Sequence, residues 1–544
     1  MKIFQPKITQ TLKGYTGKQL AADLVAGLIV AIIALPLSIA LAIASGVSPE
    51  KGIYTAIVAG FVIAALGGSR VNISGPTAAF ATIVAGIVAQ YDVDGLIVAT
   101  IMAGLILVIM GVLRLGSLIK YIPVTITTGF TAGIAVTILV GQVKDFLGLT
   151  YPSGTANIET TAKVANIVRH FGTINLQALL VGCVGLAVLI IWPKINKKIP
   201  GSLIAVVVGI LFVKLTGMKV NTIGDLYTIG SSLPVPHLPQ VTLATVEELV
   251  PSAFTIAVLA AIESLLSCVV SDGMIGDKHN SNTELVAQGF GNICSGVFGG
   301  IPATGAIART AANVKNGGRT PVSGMVHAGV LLLVLVVLMP YAAWIPMPII
   351  AAILFMVAYN MSEWRRFVRI CKTAPATEVL VLVATFVLTV VFDLVVAIGA
   401  GIVLTALLFL KQMTAVSGVR RWTEEPESAD GKIVPARVAV FEMEGALFFA
   451  AADELLQFPL QPTDKVLLLR MSKVSSVDIT AAEMLRKLVE QCKEKGVRVI
   501  FSHLNEQPMQ MLSRCGFGEL LEKEAFCPNI NAAIAYAAVL TQRN

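Results

Sequence analysis

The hydrophobic positions of this chain come in long blocks separated by short polar breaks. About 14 apolar runs precede residue 412, over residues 22–44, 52–67, 74–91, 95–113, 121–143, 176–192, 201–215, 251–271, 283–299, 304–314, 321–339, 343–361, 378–395 and 396–411. Most are roughly 16–25 residues, the length a helix needs to cross a hydrocarbon core. The first is too long for a secretory signal peptide and lacks its cleavage pattern. The pattern predicts a polytopic α-helical membrane protein with 14 transmembrane segments. Run 304–314 is too short to cross alone.

After Lys411 the pattern changes. The stretch "RRWTEEPESADGKIVPAR" is polar and rich in turn formers. Beyond it, "ARVAVFEMEG", "DKVLLLRMS" and "VRVIFSH" read as strands, and "TAAEMLRKLVEQCKEKG" and "EQPMQMLSRCG" as helices ending at glycine. The expected organisation is an N-terminal cytoplasmic segment 1–20, a membrane domain 21–412, a linker 413–435 and a soluble α/β domain 436–544.

Composition agrees: 56% of the 544 residues are hydrophobic and 13% charged, and the mean hydropathy is +0.81. The net charge of +7 bears on orientation, because Lys and Arg flank the apolar runs. Lys2, Lys7, Lys13 and Lys18 put the N-terminus in the cytoplasm. Threading from there leaves Arg114, Lys194, Lys315, Arg319, Arg365, Arg366 and Arg369 inside and the "YDVDG" turn outside. The C-terminus is then cytoplasmic too, and the expected location is the cell inner (cytoplasmic) membrane. Without aromatic interleaving, the basic residues do not suggest nucleic-acid binding. The seven cysteines are scattered and form no CxxC pair, which fits small hydrophobes in a reducing compartment.

Two breaks within apolar segments carry the functional signal. "NISGPTAAFATIV" opens with Ser74-Gly75-Pro76-Thr77 and reads as a helix start, with Ser74 as cap and Pro76 in the first turn. "GGIPATGAIARTAANV" has the same layout, with Thr304-Gly305 before a helix. At an offset of 227, Thr77 falls on Thr304 and Ala79 on Ala306, so seven spans are followed by seven more. An odd number of spans per repeat inverts the second copy, and matched interrupted segments in inverted repeats point to a transporter's binding site. Two helix N-termini meeting at mid-depth offer free N–H groups and positive dipole ends to an anion. The candidate cradle is Gly75, Pro76, Thr77 and Ala78 with Ala303, Thr304, Gly305 and Ala306. A kink without ligand is the plainer alternative.

Arg309 lies about one turn into the second of these helices, where a charge is costly unless it faces a cavity or partner. It is read as a further anion-attracting group, the alternative being a structural pair. Glu263 is the sole acid in "SAFTIAVLAAIESLLSCVV", with Ser267 and Ser271 one and two turns on. It is a candidate for cation coupling, either carrying a proton or binding sodium with Ser267; a structural hydrogen bond is the alternative. In the soluble domain Thr480 and Glu483 have capping-box spacing, and Thr480 is a weak candidate for regulatory phosphorylation. No phosphate-binding GxxxxGK[ST] loop, zinc spacing or nucleophile triad is present in the sequence, so neither an ATP-driven pump nor an enzyme is expected. No cofactor is expected beyond Na+ or H+ as coupling ion.

The stretches "ALPLSIALAIASGV", "GGSRVNISGPTAAF", "AAIESLLSCVVSDGM", "NTELVAQGFGNI" and "GGIPATGAIARTAANV" resemble the sulfate permease (SulP) family of anion transporters, and the tail resembles its STAS domain. The resemblance implies a 7+7 inverted repeat with core and gate domains, an anion site between the third and tenth helices, and a homodimer. It maps Gly75–Ala78 and Thr304–Arg309 onto the site motifs and Glu263 onto the eighth-helix acid. "PLSIALA", with Leu37 and Leu41, departs from the plant and animal sulfate pattern "PQxxAYA", and the wording looks closest to the bacterial C4-dicarboxylate branch, with bicarbonate transporters next. The expected function is secondary active transport of a small anion (dicarboxylate, bicarbonate or sulfate), proton- or sodium-coupled, by alternating access. An uncoupled anion channel or exchanger, or a membrane sensor signalling through the STAS domain to a cytoplasmic protein, are the competing readings.

Overall fold

A computed structural model describes residues 4–117, 123–152, 159–196, 199–237, 239, 242–392, 394–421, 434–449 and 458–542. The chain divides into two compact units, Met1–Ile402 and Val403–Asn544. Among the described residues, nine helices are long and apolar enough to cross a membrane by length and composition.

The membrane unit opens with α1 (Gly17–Ala44) and α2 (Pro49–Leu66). A two-residue strand β1 (Ser74–Gly75) follows, then a helical run from Ala78 to Val112. Asp92 breaks that run at φ 56°, ψ −167°, within the acidic turn, dividing it into α3 (81–91) and α4 (93–112). Then come α5 (Val124–Leu147), α6 (Leu176–Ile195) and α7 (Gly201–Thr216). The second set is α8 (Leu243–Ile275), α9 (Ser281–Val297), strand β2 (Thr304–Gly305), α10 (Ile307–Lys315), α11 (Val322–Leu338), α12 (Met347–Met361), α13 (Ala376–Val391) and α14 (Leu394–Val416). Each predicted run thus corresponds to a helical segment, and the membrane helices form seven plus seven.

The packing repeats with the count. α2 packs on α11 as α9 packs on α4, and α5 packs on α13 as α12 packs on α6. β1 pairs antiparallel with β2, Ser74 opposite Gly305 and Gly75 opposite Thr304, which is the pairing a two-fold axis between inverted copies produces.

The helix after β1 begins at Ala78, not beside Ser74. Ser74 and Gly75 are committed to the strand, and Thr77, at φ −125° and ψ 159°, is the residue before the first turn. At the far end of α1, the buried Asp23 accepts from the Arg319 and Thr320 amides at 2.9 and 3.3 Å, tying the helix to the α10–α11 turn. It also accepts from the Tyr15 hydroxyl at 2.8 Å. Burial and this bond push the Tyr15 pKa up to about 12, so it remains a donor at neutral pH.

The second unit is a five-stranded sheet in the order β3-β4-β5-β6-β7: Gly418–Arg421, Val438–Leu447, Val466–Val477, Arg498–Ser502 and Phe526–Cys527. Only β3–β4 is antiparallel. Residues alternate between its faces: Phe441, Met443, Leu467 and Leu469 meet α15 (Ile479–Glu494) and α16 (Glu506–Arg514), whereas Val440, Leu468 and Ile500 meet α17 (Ile530–Gln542). The expected linker 413–435 is partly structured. α14 runs on to Val416 and residues 418–421 form β3; residues 422–433 lie outside the described residues.

At the crossing of α4 on α9 the two backbones meet without side chains between them. A Cβ on Gly104 would lie 2.6 Å from the Gly289 carbonyl oxygen, and one on Gly289 would lie 2.6 Å from that of Gly104. Small residues at such crossings let two backbones approach within a membrane. Gly289→Ala should therefore destabilise the protein by about 1–3 kcal/mol through overpacking, read as a lower melting temperature of the detergent-solubilised full chain. An unchanged melting temperature would contradict this contact.

Candidate functional site

The two half-helices α3 and α10 start on either side of the β1–β2 crossing. In the first, the Phe80 amide reaches back to the Thr77 carbonyl at 3.3 Å; in the second, the Thr310 amide reaches the Ala306 carbonyl at 2.9 Å. Helix geometry leaves the N–H groups before these closures without intrahelical partners. They are Ala78 and Ala79 on one side and Ile307, Ala308 and Arg309 on the other. Ile307 and Ala308 are exposed, and Thr77 and Ala306 are half-buried, so the array has an open side.

This shifts the expected cradle. The Ala303 amide donates to Asn292 Oδ1 at 2.8 Å and the Ala306 amide to the Ile73 carbonyl at 2.8 Å, so neither N–H is left for a ligand. Thr304 and Gly305 are strand residues facing Gly75 and Ser74, and the Thr304 hydroxyl donates to the Ala260 carbonyl at 2.8 Å. An extended backbone in hydrocarbon consumes its own donors, and the free amides fall one to three residues further into the helix.

Arg309 is 3% exposed. Its Nη2 donates to the Pro76 carbonyl at 3.0 Å, joining the second half-helix to the start of the first, and its Nη1 meets no protein acceptor. A Cβ on Gly75 would stand 2.7 Å from Nη1, so glycine there lets the guanidinium lie against the strand. The partner that the sequence left open for Arg309 is thus a carbonyl, with one nitrogen unspent.

Glu263 is half-buried on α8, and its Oε2 accepts from the Thr77 hydroxyl at 2.8 Å. The acid therefore touches the residue that opens α3. Ser267, one turn on, is fully buried, and its hydroxyl donates to Asn72 Oδ1 at 2.7 Å with Thr310 Oγ1 at 3.1 Å. The structure places it in the packing of the strand entry, apart from the Thr77–Glu263 contact. Among the described residues no cluster of three or more His, Cys, Asp or Glu could hold a metal.

Three residues near the site escaped the sequence reading. Asn72 bonds Ser267, Thr310 and Glu284; Glu284 is fully buried; His327 on α11 is 1% exposed with neither ring nitrogen bonded to protein. A histidine inside the run 321–339 and a carboxylate inside 283–299 were the available signals.

In the second unit, the cap of α15 is Asp478, whose Oδ1 accepts from the Ala481 amide at 2.8 Å and whose Oδ2 accepts from the Phe449 amide at 2.9 Å. Thr480 is the second residue inside the helix and is exposed, so the expected Thr480–Glu483 capping box does not form. Asp478 is already extended and one residue before the helix, where a cap belongs.

Two opposed half-helices, a buried arginine and an acid touching one helix start are the features of a membrane anion transporter. The chain belongs to the sulfate permease family, whose model matches residues 20–385, and carries a STAS domain over residues 432–533. It is 40% identical over 519 residues to YvdB of Bacillus subtilis (strain 168), a protein named for sulfate transport, covering 94% of this chain and 97% of that one. It is 31% identical over 522 residues to the bicarbonate transporter BicA of Synechocystis, covering 91% and 90%. The solved transmembrane domain of a cyanobacterial BicA is 30% identical with a TM-score of 0.65, covering 71% of this chain and 99% of that one. SLC26A9 shares the fold at 19% identity, with a TM-score of 0.86 over 98% of this chain and 93% of that one.

Replacing Asp478 with Ala should remove the α15 cap, worth about 1 kcal/mol, and speed exchange of the first-turn amides roughly fivefold. Hydrogen exchange on the full chain would read this, with Thr480→Ala leaving those amides unchanged. Equal effects of the two variants would reassign the cap.

Proposed function

We propose that this chain is a secondary active carrier of a small anion, sulfate or bicarbonate in the first instance, coupled to protons or sodium and working by alternating access. The observation that carries the reading is the meeting of two helix starts at the β1–β2 crossing, beside the unspent Arg309 Nη1. Each N-terminus contributes about half a positive charge. With the guanidinium, the pocket has a positive excess that an anion offsets far better than water can in a low dielectric.

Glu263 supplies the coupling. A carboxylate within a hydrogen bond of Thr77 opposes an anion in the same pocket, and a proton or a sodium ion on it removes that opposition. Binding of cation and anion is then mutually favourable, and such linkage is reciprocal. Gly75, Pro76, Thr77 and Ala78 shape one side of the anion site and Thr304–Arg309 the other. The flanking Lys and Arg residues support cytoplasmic N- and C-termini in a bacterial cytoplasmic membrane. The named functions of BicA and YvdB favour an inorganic oxyanion over a dicarboxylate, and the family resemblance favours a homodimer.

The test is reconstituted uptake of labelled sulfate, bicarbonate and succinate under separate proton and sodium gradients. Glu263→Gln should lower gradient-driven uptake at least ~10-fold while leaving anion–anion exchange in place. Gradient-driven uptake unchanged in this variant would refute the coupling role and favour an uncoupled conductor. Succinate carried in preference to both inorganic anions would reassign the substrate.

A further inference from the structure

Four polar side chains of α9, Glu284, Gln288, Asn292 and Ser295, lie at 0% exposure along one face. Steps of four, four and three residues keep them on one face, over about 16 Å of helix. Each is bonded to non-helical backbone or side chain leading into a crossing strand. Glu284 Oε2 accepts from the Gly68 and Ser69 amides at 2.8 and 3.2 Å. Its Oε1 accepts from Asn72 Nδ2 at 2.8 Å, Gln288 Nε2 at 3.1 Å and Ser264 Oγ at 3.2 Å. Gln288 Nε2 also donates to Ser74 Oγ at 2.9 Å, within β1.

The remaining two side chains hold the other strand. Asn292 closes a pair of bonds on Ala303, donating from Nδ2 to its carbonyl at 2.9 Å and accepting from its amide at 2.8 Å. Ser295 Oγ donates to the Ile301 carbonyl at 2.8 Å. One half of the stripe therefore holds residues 68–74 and the other residues 301–303. The β1–β2 pairing is two residues long, too short to define its own register. A slip of either strand would part Thr77 from Glu263 and Pro76 from Arg309.

We infer that the polar face of α9 is a positioning element that sets the spacing of the two half-helix starts, and thereby anion affinity, without touching the anion. This rests on the anion-site reading above. The chemistry is specific at Glu284, where all five neighbours donate and only a carboxylate accepts at both oxygens; a glutamine would turn an amino group toward one set of donors.

The experiment measures initial uptake against concentration for sulfate and for bicarbonate, in proteoliposomes containing the full chain. Gln288→Met and Asn292→Leu should each raise KM roughly tenfold, with Vmax per inserted protein within about twofold of the parent. Asn292→Asp, which keeps the acceptor for Ala303, should recover part of the loss. Ser74→Ala cuts the Gln288 bond from the strand side, should raise KM in the same direction, and should add nothing to Gln288→Met in the double variant. It also reads the same bond if Gln288→Met fails to insert. Gly75→Ala, which crowds Arg309, is the control for the site itself. If it raises KM while the α9 variants change only Vmax or nothing, the inference is overturned; if it too leaves KM unchanged, the anion-site reading fails.

Discussion

A polypeptide that leaves the helix inside a hydrocarbon layer must find a partner for every amide and carbonyl it exposes. This fold meets that demand at one place, where Ser74–Gly75 and Thr304–Gly305 pair with each other and with neighbouring side chains. The rest of the membrane unit follows from it. Two strands that end in mid-membrane must hand over to two short helices, and those helices must begin with unpaired donors pointing together. Those free amides are the remainder left when backbone satisfaction has gone as far as it can.

The architecture was legible because burial in lipid writes long apolar blocks that little else produces. The 14 runs, the break at Asp92 and the glycine and proline signals at residues 75–76 and 302–305 all have a local cause, and each appears in the structure near its expected place. Arg309 and Glu263 stood out because a charged residue in an apolar setting draws notice without knowledge of its neighbours, and Thr77 through the Gly-Pro break beside it.

What was not legible depends on contacts between distant segments. Whether the Ala303 amide is free is decided by Asn292, and whether Ser267 faces Glu263's pocket is decided by Asn72 and Thr310. The α9 stripe is spread over a stretch rich in small and apolar residues, so its four members read one by one as ordinary polar positions. Thr480 shows the same limit locally, since its spacing to Glu483 satisfies a capping pattern that Asp478, two residues earlier, already fulfils.

The mutual contact of Gly104 and Gly289 has a mechanical meaning. With each glycine's Cα set against the other's carbonyl oxygen, no layer of side chains lies between α4 and α9 to act as lubricant, and the two helices resist shear. In the alternating access proposed above, the motion would then be taken up where longer side chains separate the helices, with the strands, both half-helices and the acid carried as cargo on a single chassis.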